Sequence, residues 1–274
     1  MARNTGSVAG TVFQNANSTF GGVGPVGTIS MWISPNWSSG DGVTHPIWEM
    51  SNFSSNSTPG FQRFSDNNIY IGFLGGGGGD QRIVLSDSGL FTSGTAANWV
   101  FTWSNAAGQT IYKNAISKGT HALTFPTANV GFGIGNYGEP GNSAAATSNS
   151  IIADFCYWNT ILTPPELIAL AMGNRASAVR PASIRLYYPL YGSANVYADI
   201  YGGQIIKATG TITTVADPPL LRRPVNTLRA NFWPGIDALG WIPPRAVVLP
   251  ARFRKTLSSI GGRVGTRQSQ GWGS

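Results

Sequence analysis

Over residues 1–160 the chain is built from short runs that alternate polar and apolar residues, each closed by a cluster of Gly, Asn and Ser. A period of two lays side chains on opposite faces of a strand, so each run describes a strand with one buried side. Gly27-Thr28-Ile29-Ser30-Met31-Trp32-Ile33 puts Ile29, Met31 and Ile33 on one face. Residues 99–104 and 109–114 bracket Asn105-Ala106-Ala107-Gly108, which reads as a hairpin. Residues 68–73 and 81–85 flank Gly75 to Gly79 as a second hairpin with a long loop, and residues 130–135 and 151–158 supply further strands. Charged residues are only 11% of the chain against about 25% in an ordinary domain, and 36 residues are Gly. A helical bundle is poorly served by that composition. An all-β antiparallel β-sandwich of jelly-roll type is expected.

One helix interrupts the strands. Thr163-Pro164-Pro165-Glu166 offers an N-cap, Pro at the first helical position and Glu at the third, the pattern of a capping box. Residues 167–172 continue it and Gly173 supplies a left-handed stop.

The ordered set of motifs resembles a known family. Thr28-Ile29-Ser30-Met31-Trp32-Ile33, Asn98-Trp99-Val100-Phe101-Thr102-Trp103, Thr110-Ile111-Tyr112-Lys113-Asn114 and the stretch from Ile152 to Leu167 are similar to successive strands of laminin-G-like domains of the concanavalin A-like lectin/glucanase class. Residues 183–219 resemble a passage that follows such domains in tailed-phage structural proteins. The resemblance implies a sandwich over residues 1–220, with its core at 25–173 and completing strands at 183–215. Asn114-Ala115 stands where the family often has Asp-Gly, which weakens transfer of a calcium role to that turn.

Residues 221–274 form a different segment. The whole chain is +7, yet residues 1–220 sum to −1 and residues 221–274 to +8. Five prolines from Pro224 to Pro250 forbid long elements there, while Trp and Phe residues make the segment too apolar for a free linker. An extended arm docking on another protein is expected, with Arg222, Arg223, Arg229, Trp233, Trp241, Arg245, Arg252, Phe253, Arg254 and Lys255 as its contacts. Nucleic acid is disfavoured, because the charges are dilute and no nucleic-acid module surrounds them.

Catalytic and metal chemistry is sparse. Glycoside hydrolysis needs two carboxylates flanking the bond, and the family's glucanases carry them as E-x-D-x-x-E; here Glu49 and Asp154 are isolated. His45, His121 and Cys156 lack ligand spacing, and one cysteine excludes an internal disulfide. No apolar run reaches the 18 residues of a membrane helix. No cofactor is expected from the residues themselves; the resemblance admits calcium on Asp80, Asp87 or Asp154. Trp37 and Tyr137 fall in loops, where flat aromatic rings stack on sugars. The leading expectation is a non-enzymatic phage virion protein of capsid-decoration type, located on the particle and anchored by its arm. Its partners would be other virion proteins, foremost the major capsid protein, and further copies of the chain. The alternative is a carbohydrate-binding tail or surface adhesin recognising host glycans.

Overall fold

A computed structural model describes residues 2–5, 12–15, 23–51, 58–74, 80–124, 131–135, 147–190, 196–199, 201, 205–209 and 212–215. All of them lie in the first of two units into which the chain divides, Met1–Leu221; the arm from Arg222 lies outside the described residues. The strands are β1 (Ala2–Asn4), β2 (Val12–Asn15), β3 (Val26–Pro35), β4 (His45–Ser51), β5 (Thr58–Arg63), β6 (Asn68–Leu74), β7 (Ile83–Ser86) and β8 (Ala97–Ser104). They continue with β9 (Gly108–Lys113), β10 (Ile116–His121), β11 (Gly131–Ile134), β12 (Ser150–Trp158), β13 (Ile184–Tyr188), β14 (Val196–Ala198), β15 (Ile205–Thr209) and β16 (Thr213–Val215). One helix, α1 (Pro164–Ala171), lies between β12 and β13.

Two antiparallel sheets make the sandwich. Sheet A runs β10-β9-β8-β3-β12-β1-β16, with β13 also paired to β12; sheet B runs β14-β15-β2-β11-β4-β5-β6-β7. The period of two in β3 sends Ile29, Met31 and Ile33 inward, where they meet Trp99, Phe101 and Trp103 of β8 and residues such as Trp48, Phe61 and Phe73 of sheet B. Gly27 stands opposite Trp103, and a Cβ at Gly27 would sit 2.3 Å from the indole. The missing side chain is what lets that ring lie flat across the strand. On one side the sandwich closes where β10 meets β7, with Gly119 against Leu85 and Ile83.

Sheet A is buried on its outer face too. Helix α1 and two single turns of 3-10 helix (Ala176–Ala178 and Pro181–Ser183) cover it, packing Leu167, Leu170, Ala176 and Val179 on Val100, Cys156 and Trp158. The Trp158 Nε1–H donates to the Val179 carbonyl at 2.8 Å, satisfying the one polar atom of a fully buried ring. Burial pushes the Cys156 thiol well above its ordinary pKa and leaves it an inert part of this second core.

At the start of α1 the Thr163 N–H donates to the Glu166 carboxylate at 2.7 Å. The Thr163 hydroxyl donates to the same oxygen. The helix ends at Gly173, φ 84°, where the Gly173 N–H reaches the Leu170 carbonyl and the Asn174 N–H that of Ala169. Among the described residues no helix is long and apolar enough to cross a membrane.

Candidate functional site

The aromatic expected to face a ligand from the first loop does not. Trp37 is 5% exposed, and this corrects its reading as a glycan contact. Its indole stacks on His45 with centroids 4.2 Å apart and planes at 2°, and its Nε1–H donates to the Ser148 carbonyl at 2.8 Å. Loop 36–44 is fastened over these rings by Arg63, a fully buried guanidinium that pairs with Asp41 and, at 2.8 Å, with Asp87. Asp41 in turn meets His45 Nε2 at 2.8 Å, so each charge in this end of the sandwich has a partner. Tyr137 and all ten residues expected in the arm lie outside the described residues.

The three aspartates considered for calcium sit apart. Asp80 is forked by Arg82, Asp87 accepts from Arg63 Nε and the Gly40 N–H, and Asp154 accepts from the Ala176 N–H and the Tyr187 hydroxyl. Asp154 occupies a bulge of β12 with φ 56°, which turns its carboxylate to those donors. Among the described residues no group of three His, Cys, Asp or Glu converges on a point. Glu49 is on β4 of sheet B and Asp154 on β12 of sheet A, so the two strand acids do not flank a common bond.

A polar and aromatic surface does form on the outer face of sheet B, on residues of which only Asp80 was singled out from the sequence. Ile69, Ile71 and Phe73 of β6 point into the core, which turns Tyr70 outward. Beside it, directly across the ladder, stand Gln62 on β5 and Val84 on β7. Phe64 meets the Tyr70 ring edge-on, centroids 4.9 Å apart at 89°. The Arg82 guanidinium lies over the same ring at 4.6 Å. Two carboxylates hold this group from either end. Asp66 accepts from the Tyr70 hydroxyl at 2.8 Å, from the Asn68 N–H and from the Asn68 amide. Asp80 takes a two-pronged bond from Arg82, Nε at 2.9 Å and Nη2 at 2.7 Å. The Tyr70 hydroxyl draws the Asp66 carboxyl below its ordinary pKa, and Arg82 does the same for Asp80. Reciprocally, Asp66 raises the Tyr70 phenol.

A shallow cleft of about 440 Å³ lies over sheet A, between α1 and the β9–β10 turn. It is lined by Trp32, Ala96, Asn114, Ala115, Ile168 and Met172, among others, and is mainly apolar. Ile168 and Met172 are 52% and 63% exposed at its rim.

No family model matches the chain, and no curated protein does. Solved structures share its fold. A candidate carbohydrate-binding protein from Bacteroides ovatus matches with a TM-score of 0.51 at 15% identity, covering 80% of this chain and 61% of that one. The NanB sialidase from Streptococcus pneumoniae matches at a TM-score of 0.47 and 14% identity, over 61% of this chain and 28% of the enzyme. The receptor-binding domain of botulinum neurotoxin C/D mosaic serotype gives a TM-score of 0.47 at 11% identity, over 62% and 42%. The chain thus spans about three fifths of the first of these proteins and less than half of the other two, and what it has in common with the first is a lectin-like β-sandwich.

Proposed function

We propose that this chain is a non-enzymatic glycan-binding protein that meets sugar on the outer face of sheet B, around Tyr70. The observation that carries the reading is the composite platform of Phe64, Tyr70 and Arg82, framed by the Asp66 and Asp80 carboxylates and by the Gln62 amide. Sugars present apolar C–H faces and a rim of hydroxyls. An aromatic ring takes the first, and fixed carboxylate and amide groups take the second. The platform is pre-organised, because the hydroxyl of Tyr70 and both prongs of Arg82 are already tied down.

Binding rather than hydrolysis follows from the same bonds. A general acid must hold its proton near neutral pH, whereas hydrogen bonding pushes both Asp66 and Asp80 down and keeps them ionised. The Bacteroides ovatus structure, a candidate carbohydrate-binding protein, agrees with this reading in fold. Placement on a phage particle draws only on the passage after residue 183 and on the basic arm, and the Tyr70 platform does not depend on it.

The test is a glycan array followed by titration calorimetry of the full chain and of Tyr70→Ala. Affinity for any sugar bound should fall by about tenfold or more in the variant, the loss of one aromatic stacking partner. Binding that is indifferent to Tyr70→Ala would remove the site from this face.

A further inference from the structure

We infer that the Tyr70 surface selects uncharged sugars over sugars bearing a carboxylate or sulfate, an inference that rests on the glycan-binding reading. The argument concerns which charges on this face remain available. Beside Tyr70 the cation is Arg82, immediately before β7; Arg63 of β5 turns inward to Asp41 and Asp87, and His121 of β10 also acts on the Asp80 carboxylate. The charge of Arg82 is already matched: its Nε and Nη2 both face the Asp80 carboxylate, and its plane rests on Tyr70.

An acidic sugar needs a free fork of donors to replace the water around its carboxylate. Here the Nε–Nη2 edge of Arg82 is held by Asp80, so an acidic sugar is left with the opposite edge of a guanidinium whose charge is already matched and whose side chain is 16% accessible. It would also approach Asp66, an exposed carboxylate that accepts from neutral donors: a phenol, an amide N–H and a side-chain amide. Asp66, Asp80 and Arg82 together carry one net negative charge beside Tyr70. A neutral sugar meets the opposite situation. Asp66 Oδ1 and Asp80 Oδ2 each accept a single bond and keep acceptor capacity, and hydroxyl donation to an ionised carboxylate is stronger than to a neutral acceptor. The surface therefore favours donors that bring no charge of their own.

The test compares a neutral oligosaccharide with its sialylated and sulfated counterparts, titrated into the full chain, Tyr70→Ala and Asp80→Asn. The nine Lys and Arg of residues 221–274 attract anions without regard to this site, so the signal counted is the part that Tyr70→Ala removes. The neutral member should bind about tenfold more tightly than either acidic one. Asp80→Asn frees the Arg82 fork and should narrow or reverse that ratio, with circular dichroism showing an unchanged fold. Equal or tighter Tyr70-dependent binding of an acidic sugar to the wild-type chain overturns the inference, as does a ratio unmoved by Asp80→Asn. Absence of Tyr70-dependent binding to every sugar is a separate result, and it overturns the glycan-binding reading itself.

Discussion

Two residues turn the chain from β9 into β10, and both are left-handed: Asn114 at φ 51° and Ala115 at φ 62°. A two-residue hairpin of this kind needs positive φ at both positions, which Asn tolerates and Ala does not. Relief of that strain should make Ala115→Gly more stable by about 1 kcal/mol, read from the urea midpoint at constant slope. A lower midpoint would show that the turn carries no such strain. The same scale explains which exposed aromatics were legible. Trp37 lies in a loop by sequence, but nothing in Pro35-Asn36-Trp37-Ser38 discloses that His45 and Arg63 arrive from β4 and β5 to roof it over. Tyr70 carried a usable signal. It alternates with Ile69 and Ile71, so a strand that buries the isoleucines must present the tyrosine. Its partners were invisible, since Phe64 and Arg82 meet it only through strand register.

Among elements, the helix was readable nearly whole because its signals are local. The Thr163–Glu166 bond and the Gly173 stop each span a few residues. Glu166 also ties the helix to the turn that follows, accepting from Arg180 Nε at 2.8 Å. Burial raises the Glu166 carboxyl, but the Thr163 N–H and hydroxyl and then Arg180 pull it down further, to a net value below the ordinary 4.5. A carboxylate depressed on folding contributes stability above its unfolded pKa and loses it as pH falls through the folded one. Glu166→Gln should therefore cost about 0.5–1 kcal/mol at pH 7, and the deficit should shrink toward zero as pH falls below 4. A deficit independent of pH would assign the cost to packing instead. Strands β4 and β5 were missed for an equally physical reason: Pro46 and Pro59 interrupt the expected pattern. A bulge between Pro46 and Trp48 absorbs the first.

At the scale of the molecule, the ends of the sandwich are interleaved. β1 lies between β12 and β16, and β2 between β11 and β15, so the first strands in sequence are held by some of the last. The sequence showed that strands exist but not this order, because pairing across some two hundred residues leaves no local trace. A chain cut after residue 195 lacks β14, β15 and β16 and leaves β1 and β2 as raw edges. It should lose the single cooperative melting transition of the full chain and aggregate, as followed by calorimetry and light scattering. A sharp transition at the parent temperature would contradict the interleaving.

The interleaving also dictates when the protein can mature during synthesis. Sheet B lacks its last strand until Thr209 has left the ribosomal tunnel and sheet A until Val215 has, so the hairpins at the middle of the chain must wait with their inner faces uncovered. The sandwich is finished after translation has passed it, and a ribosome stalled upstream of β16 would hold a sticky, unfinished nascent chain.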